Sequence, residues 1–191
     1  MKTLKTDRLI LRNFQPGDAA ALFDYLHAPT ASCFFALRLA DLGAAETEAL
    51  KRSCADDYIA VCLAQTGQLL GDLSAHRDPK WPEDADGQAG SDTLSVGWNF
   101  NPRFGGKGYA FEAAHALCAD LFANQGARRL YAYVEDHNTP SRRLCQKLGM
   151  REEGLFREYV TFHSDSAGQP IYENTLQYAI LRHEWQAAAR V

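Results

Sequence analysis

The chain has 191 residues, 46% of them apolar and 23% charged, which suits one domain over 1–191 and excludes a largely disordered or collagen-like chain. Its formal net charge of −4 argues against a broad basic surface, so no nucleic-acid partner is expected, while a local basic patch for a small anion stays open. No apolar run reaches the ~18 residues that span a bilayer, and the opening MKTLKTDRLILRNF lacks a signal peptide's apolar centre, so no membrane partner is expected and the chain reads as cytoplasmic.

Alternation in residues 8–12 predicts a first strand, and Pro16-Gly17-Asp18 punctuates it before a helical pattern over 19–27. A second helix is predicted over 41–52, with APTASCFFALRL between the two helices left unassigned. Residues 58–64 and 68–75 are apolar runs separated by Gln65-Thr66-Gly67, the signature of an antiparallel hairpin. Residues 77–92, rich in Pro, Gly and Asp, predict a long surface loop with Trp81 as its large apolar group. A strand over 93–100 and an amphipathic helix over 108–124 follow, ended by Gly126. A strand over 129–134, a short helix over 139–148 closed by Gly149, and two long strands over 150–162 and 171–181 complete the chain. This order predicts an α/β architecture whose sheet mixes hairpins with crossover helices.

The five cysteines, Cys33, Cys54, Cys62, Cys118 and Cys145, are odd in number and never spaced C-x-x-C, which fits neither a disulfide framework nor a zinc ribbon. The six histidines are dispersed, so no metal is expected.

The stretch NPRFGGKGYAFE, residues 101–112, stands where a strand gives way to a helix. Glycines there let the backbone approach a ligand, and a helix start offers unpaired N–H groups and the positive end of the helix dipole. Arg103 and Lys107 flank the glycines, so a pyrophosphate is the expected anion. The P-loop pattern fails because Gly108 follows Lys107, and the dinucleotide pattern fails because Phe111 stands where a third glycine belongs.

Arg103-x-x-Gly106-x-Gly108 resembles the Q/R-x-x-G-x-G/A signature of the GCN5-related N-acetyltransferase (GNAT) superfamily. Thr6-Asp7-Arg8-Leu9-Ile10-Leu11-Arg12, Gly106-Lys107-Gly108-Tyr109-Ala110 with Glu112-Ala113, and Asn138-Thr139-Pro140-Ser141-Arg142 with Lys147-Leu148-Gly149-Met150 resemble segments of its RimJ/RimL-like ribosomal-protein N-acetyltransferase branch, in order. The resemblance implies a single-domain GNAT-like fold, with about seven strands splayed between the fourth and fifth and about four flanking helices. It implies acetyl-CoA as donor and a primary amine as acceptor, either a protein N-terminal α-amine or a small-molecule amine, attacking directly in a ternary complex. The cofactor-binding residues it implies are Trp98, Asn99, Phe100, Arg103, Phe104, Gly105, Gly106, Lys107, Gly108, Tyr109, Asn138 and Ser141.

An amine must be neutral to attack, and an α-amine near ~7.8 loses its proton more readily than a lysine near ~10.4. Ser141, with Asn138, is the catalytic candidate for meeting the thiol sulfur; both residue types are also common helix caps. Cys145 stands where many superfamily members carry a tyrosine acid, and Ser95 lies in the strand that often carries a glutamate base. Glu112, Asp136 and Glu158 are other carboxylates, but no base is assigned. Arg142, Arg143 and Lys147 are within reach of the cofactor's adenosine end, and Phe34, Phe35, Trp81 and Trp98 are candidate acceptor-site walls or core. The alternative is a catalytically weak coenzyme A-binding sensor or interaction module. Exposed C-terminal strands allow a homodimer.

Overall fold

The computed structural model describes residues 2–79 and 92–188. Its strands are β1 (Leu4–Lys5), β2 (Leu9–Asn13), β3 (Tyr58–Leu63), β4 (Leu69–Arg77), β5 (Thr93–Phe100), β6 (Arg129–Glu135), β7 (Arg151–Ser164) and β8 (Pro170–Leu181). Its helices are α1 (Ala19–Leu26), α2 (Leu42–Ser53), α3 (Tyr109–Ala123), α4 (Thr139–Lys147) and α5 (Arg182–Ala188). Short 3-10 helices form at Pro16–Asp18, Ser32–Leu37 and Pro102–Phe104.

The architecture is the mixed α/β one expected, with additions where the local pattern is short. The sheet holds eight strands, because the two-residue β1 pairs Leu4 with Leu11 and Lys5 with Ile10, a ladder too short to leave a period in the sequence. Helix α5 follows β8 directly, and the unassigned APTASCFFALRL segment contains the 3-10 helix at Ser32–Leu37. Arg77 belongs to β4, paired with Leu94, rather than to the loop. Of the rest of that predicted loop, residues 80–91, with Trp81, lie outside the described residues.

The strand order is β1-β2-β3-β4-β5-β6-β8-β7. Neighbours are antiparallel except β5 and β6, which run parallel and pair only through Thr93↔Arg129, Leu94↔Leu130 and Ser95↔Tyr131. Beyond Ser95, β5 continues to Phe100 against β4 alone, and β6 continues to Glu135 against β8 alone. A wedge-shaped gap therefore opens in the sheet, leaving backbone groups of both strands facing each other without a ladder. This is the splay expected between the fourth and fifth predicted strands.

Around β3 both faces of the sheet are covered. Strand β3 carries the two-residue alternation that this requires: Ile59 and Val61 face the cluster with Leu73, Leu94, Leu117, Leu121 and Leu130, whereas Ala60 and Cys62 face Leu22, Leu26, Ala45 and Ala49 of α1 and α2. On α3, Ala113, Ala114, Leu117, Cys118, Leu121 and Phe122 recur at helical spacing and are all buried. In β7 the register shifts between Phe156 and Val160, and Glu158 takes φ of 46°. The Asn174 side-chain oxygen accepts from the Glu158 N–H at 3.0 Å, holding a left-handed conformation that a glutamate seldom adopts.

Candidate active site

The loop from β5 to α3 is built on Asn101. This residue is buried, its N–H donates to the Leu70 carbonyl at 2.9 Å, and its side chain accepts from the Arg103 N–H at 3.0 Å and donates to Asp24 at 2.6 Å. The chain makes a 3-10 turn at Pro102–Phe104 and then adopts positive φ at Gly106 (74°) and Gly108 (80°), with Gly108 as the N-cap of α3. An L side chain at either position is strained. Among the described residues, no acceptor takes the N–H groups of Gly106, Lys107 or Gly108. Three free donors thus lie on an exposed loop that leads into the positive end of a 15-residue helix, the chemistry of an anion site.

The cations are arranged differently from the sequence expectation. Arg103 turns away from the glycines and pairs with Asp24 of α1. Arg8 of the Thr6-Asp7-Arg8 segment lies closer: its guanidinium donates to the Lys107 carbonyl at 3.1 Å and stacks 4.8 Å from the centre of the Tyr109 ring. Glu112 holds it there, taking the Arg8 Nε at 2.6 Å, the Arg8 N–H at 3.0 Å and the Thr6 hydroxyl at 2.5 Å. Burial pushes Glu112 up, but the bonds from Thr6 and Arg8 outweigh it and hold the carboxyl below its ordinary value. The sequence offers Glu112 as a bare carboxylate; a contact across 104 residues carries no local signal.

Two cavities flank the gap between β5 and β6. A groove of about 500 Å³ runs past Trp98, Asn99, Phe100, Gly106 and Gly108 to Asn138, Ser141, Arg143 and Lys147. A smaller cavity of about 220 Å³ lies beneath the 3-10 helix Ser32–Leu37, lined among others by Cys33, Leu37, Asp72, Tyr133 and Glu135. Phe34, Trp98, Asn138 and Ser141 line both, so these side chains stand where the two spaces meet. Of the other residues implied by the resemblance, Phe104 and Tyr109 pack partly buried against the core, while Gly105 and Lys107 are exposed on the loop.

At the junction runs a chain of hydrogen bonds. The Trp98 Nε1 donates to the Ser141 Oγ at 3.1 Å, the Ser141 N–H donates to the Asn138 Oδ1 at 3.2 Å, and the Asn138 Nδ2 donates to the Glu135 Oε2 at 3.1 Å. Asn138 is the N-cap of α4. The cap and the cavity-lining role coincide in one residue, because capping uses the amide oxygen and leaves the amide nitrogen to bond Glu135.

The remaining candidates separate. Cys145 is fully buried and lines neither cavity; burial, with Cys118 beside it, pushes its thiol up to about 12. Asp136 is engaged by Asn174, and Arg142 by the Asp136 carbonyl and the Tyr178 hydroxyl. Glu158 is exposed on the β7 bulge, and exposed Phe35 sets its ring edge-on to His163 at 5.4 Å. Glu135 was not singled out from sequence, although alternation in RLYAYVE puts it on the face of Tyr131 and Tyr133, opposite buried Leu130, Ala132 and Val134. Among the described residues no three His, Cys, Asp or Glu side chains gather as a metal site, and no helix is long and apolar enough to cross a membrane.

Comparison with known proteins agrees with this geometry. The "Acetyltransferase (GNAT) domain" family pattern matches residues 8–151. The chain is 36% identical over 96 residues to the uncharacterized N-acetyltransferase YnaD of Bacillus subtilis (strain 168), spanning 50% of this chain and 53% of YnaD. It is 28% identical over 173 residues to the uncharacterized N-acetyltransferase p20 of Bacillus licheniformis, spanning 83% of this chain and 88% of p20. A GNAT-family acetyltransferase structure from Bacillus anthracis superposes with a TM-score of 0.80 at 27% identity, covering 95% of this chain and 99% of that one. A ribosomal-protein-S5-alanine acetyltransferase from Vibrio fischeri shares the fold at a TM-score of 0.71 and 16% identity, covering 97% and 99%. With a domain match across most of its length and a sheet that parts beside a glycine loop, the chain belongs to the GNAT family of acetyltransferases.

Proposed function

We propose that the protein moves the acetyl group of acetyl-CoA to a primary amine, a protein N-terminal α-amine or a small-molecule amine, by direct attack in a ternary complex, as one domain over 1–191. The observation that carries this reading is the meeting of two cavities at Trp98, Asn138 and Ser141, with a free-donor loop on one side only. A donor and an acceptor entering from opposite sides of the gap would be aligned there, and alignment is the main contribution a direct transfer asks of a protein.

Acetyl-CoA supplies a thioester-activated acetyl group. The residues present fit it: the free N–H groups of Gly106, Lys107 and Gly108 and the α3 dipole suit the pyrophosphate, with Arg8 and Lys107 adding charge. The unladdered edge of β5 at Trp98, Asn99 and Phe100 suits the pantetheine arm, taken up as an added strand. Exposed Arg143 and Lys147 line the same groove toward the adenosine end. Ser141, whose oxygen already accepts from Trp98, has its own proton free to give to the departing sulfur. Asn138 fixes the turn that presents it.

The order of motifs favours the RimJ/RimL-like branch, and the fold shared with a ribosomal-protein-S5-alanine acetyltransferase is consistent with it. The proposed site of action is the cytoplasm, where five thiols stay reduced. Unpaired β7 at the sheet edge, with Leu155, Tyr159 and Tyr172 exposed on the β7–β8 hairpin, supports a homodimer.

Calorimetric titration with acetyl-CoA, against ATP and NAD, followed by a screen of amines and N-terminal peptides, tests the reading. Selective binding with turnover is expected. Binding without turnover would leave a coenzyme A sensor, and no binding would remove the reading. Gly106→Val, whose Cβ meets nothing within 4 Å in the protein, is expected to weaken acetyl-CoA by about tenfold or more while shifting Tm by only a few degrees, since one strained residue costs about 1–2 kcal/mol.

A further inference from the structure

Among the described residues the buried acids are Asp18, Asp72 and Glu135. Asp18 receives the Arg12 guanidinium at 2.7 and 2.8 Å. Asp72 has Arg52 at 3.3 Å and the Tyr25 hydroxyl at 2.6 Å. Glu135, 5% exposed, has no cation among the described residues: its carboxylate accepts from the neutral Asn138 amide at 3.1 Å, and the neutral Cys33 thiol lies beside it. A carboxylate taken out of water is costly unless a cation and hydrogen bonds compensate it. This one lines the acceptor-side cavity and is joined through Asn138 to Ser141.

We propose that Glu135 holds the acceptor as its ammonium ion in this cavity and is the first recipient of its proton, so that the enzyme selects primary alkylammonium acceptors. This rests on the amine-acetylation reading above. The step is a proton transfer alone: R–NH3+ gives one proton to a Glu135 carboxylate oxygen and becomes R–NH2, whose lone pair is then free. Phe34, Leu37 and Tyr133 supply apolar walls for the carbon chain that follows the nitrogen.

The surroundings supply no competing cation. Facing the cavity are Cys33 from the 3-10 helix, Tyr58 from β3, Asp72 from β4, with Arg52 of α2 paired to it from outside the lining, and Tyr133 from β6 itself. Glu173 of β8 lies behind Cys33, bonded by Ser32 at 2.7 Å with His137 at 4.0 Å and His163 at 3.8 Å. Arg52 is already shared between Asp72 and Glu48. Burial, then the bond and charge of Glu135, push the Cys33 thiol far up, so it stays a neutral donor. Asp136, the next residue, is committed to Asn174 at 2.9 Å and does not line the cavity.

The test reads binding and pH dependence separately. Ligand-observed NMR titration of the wild-type protein, with and without coenzyme A, compares n-hexylamine with 1-hexanol at neutral pH. The amine is expected to bind about tenfold tighter, the worth of one charge-assisted hydrogen bond, and Glu135→Gln should reduce that preference to about twofold or less. In turnover, Glu135→Gln should lower kcat/KM by about a hundredfold near pH 7, with the deficit closing as pH rises toward the ~10.4 at which the amine ionises unaided. Glu135→Asp should retain part of both effects, and acetyl-CoA affinity should not change in either variant. Equal binding of amine and alcohol by the wild-type protein overturns the proposal even if the Gln variant does not fold. So does a Gln variant that keeps the preference, or one whose kcat/KM deficit is the same at every pH. If the wild-type protein acetylates no amine, the transfer reading fails, while the amine-over-alcohol comparison still decides the place of Glu135.

Discussion

The Trp98 indole donates to the Ser141 hydroxyl at 3.1 Å, tying β5 to the first turn of α4 across the mouth of the gap in the sheet. One side chain from each bank of the gap therefore fixes the direction of a single O–H. Ser141→Ala is expected to lower kcat by about a hundredfold, the range for a lost general acid, with acetyl-CoA affinity little changed. Trp98→Phe keeps the ring and loses the donor, a change worth about 2–10-fold. The double variant should be no slower than Ser141→Ala, because both changes act through one hydroxyl. Steady-state kinetics of the four proteins checks this, and multiplying losses would show that Trp98 acts elsewhere.

Cys145 provides the contrast. Its thiol, pushed up to about 12 by burial and the neighbouring Cys118, sits in the core between α3 and α4 and reaches neither cavity. Cys145→Ala is expected to leave turnover within about threefold and to cost about 1–2 kcal/mol of stability, as removal of one buried heavy atom does. Urea unfolding and a turnover assay on the same preparation separate the two effects; a large loss of kcat without loss of stability would make the thiol the acid.

Sequence reading reached the strands, the glycine loop and the Asn138–Ser141 turn, because each rests on a local signal: alternation, clustered glycines, a cap at the start of a helix; the splay of the sheet came only with the family resemblance. It did not reach what depends on the folded neighbourhood. Arg103 beside the glycines reads as the loop's cation, yet Asp24, far away in sequence, claims it, while Arg8 arrives from the chain's other end. Glu135 and Asp136 are adjacent carboxylates with the same sequence credentials. The 3-10 helix lining the same cavity closes over the first, while Asn174 takes up the second outside it. That helix has neither helical nor strand period, so its part in the cavity had no pattern to announce it.

The Arg8–Glu112 clamp should make the loop acid-sensitive. Glu112's folded value lies below its unfolded ~4.3, so its contribution to stability is complete above that pH and is lost as pH falls through the folded value. Arg8 is half exposed, and solvent screening keeps the global effect small; the local effect is larger, because the same guanidinium bonds the Lys107 carbonyl. Glu112→Gln is expected to weaken acetyl-CoA by about 3–10-fold at neutral pH and to flatten the acid limb of the stability curve below about pH 4. Affinity and urea midpoints measured from neutral to acid pH would show it, and a variant with the wild-type acid limb would place the acid sensitivity elsewhere.

Arg52 tests the other buried charge. The residue is 1% exposed, and its guanidinium lies 2.8 Å from Glu48, 3.3 Å from Asp72, and 4.3 and 5.3 Å from the Tyr58 and Phe14 ring centres. Burial drives Asp72 up against the lowering by Arg52 and the Tyr25 hydroxyl, and the result stays above the ordinary carboxylate value. Arg52→Met keeps much of the volume and removes the cation, leaving Asp72 buried beside Glu48 with only the Tyr25 hydroxyl to compensate it, at a cost of about 3–5 kcal/mol. Its folded pKa then rises further above the unfolded ~3.9, so the stability this group contributes is present below that pH and is lost as pH rises. The deficit of Arg52→Met should accordingly be largest near neutrality and smaller near pH 4, and adding Asp72→Asn should recover about half of it. Urea unfolding of the three variants at both pH values measures this. A deficit equal at both, unrelieved by Asp72→Asn, would mean that Arg52 acts through its packing against Phe14 and Tyr58 rather than through its charge.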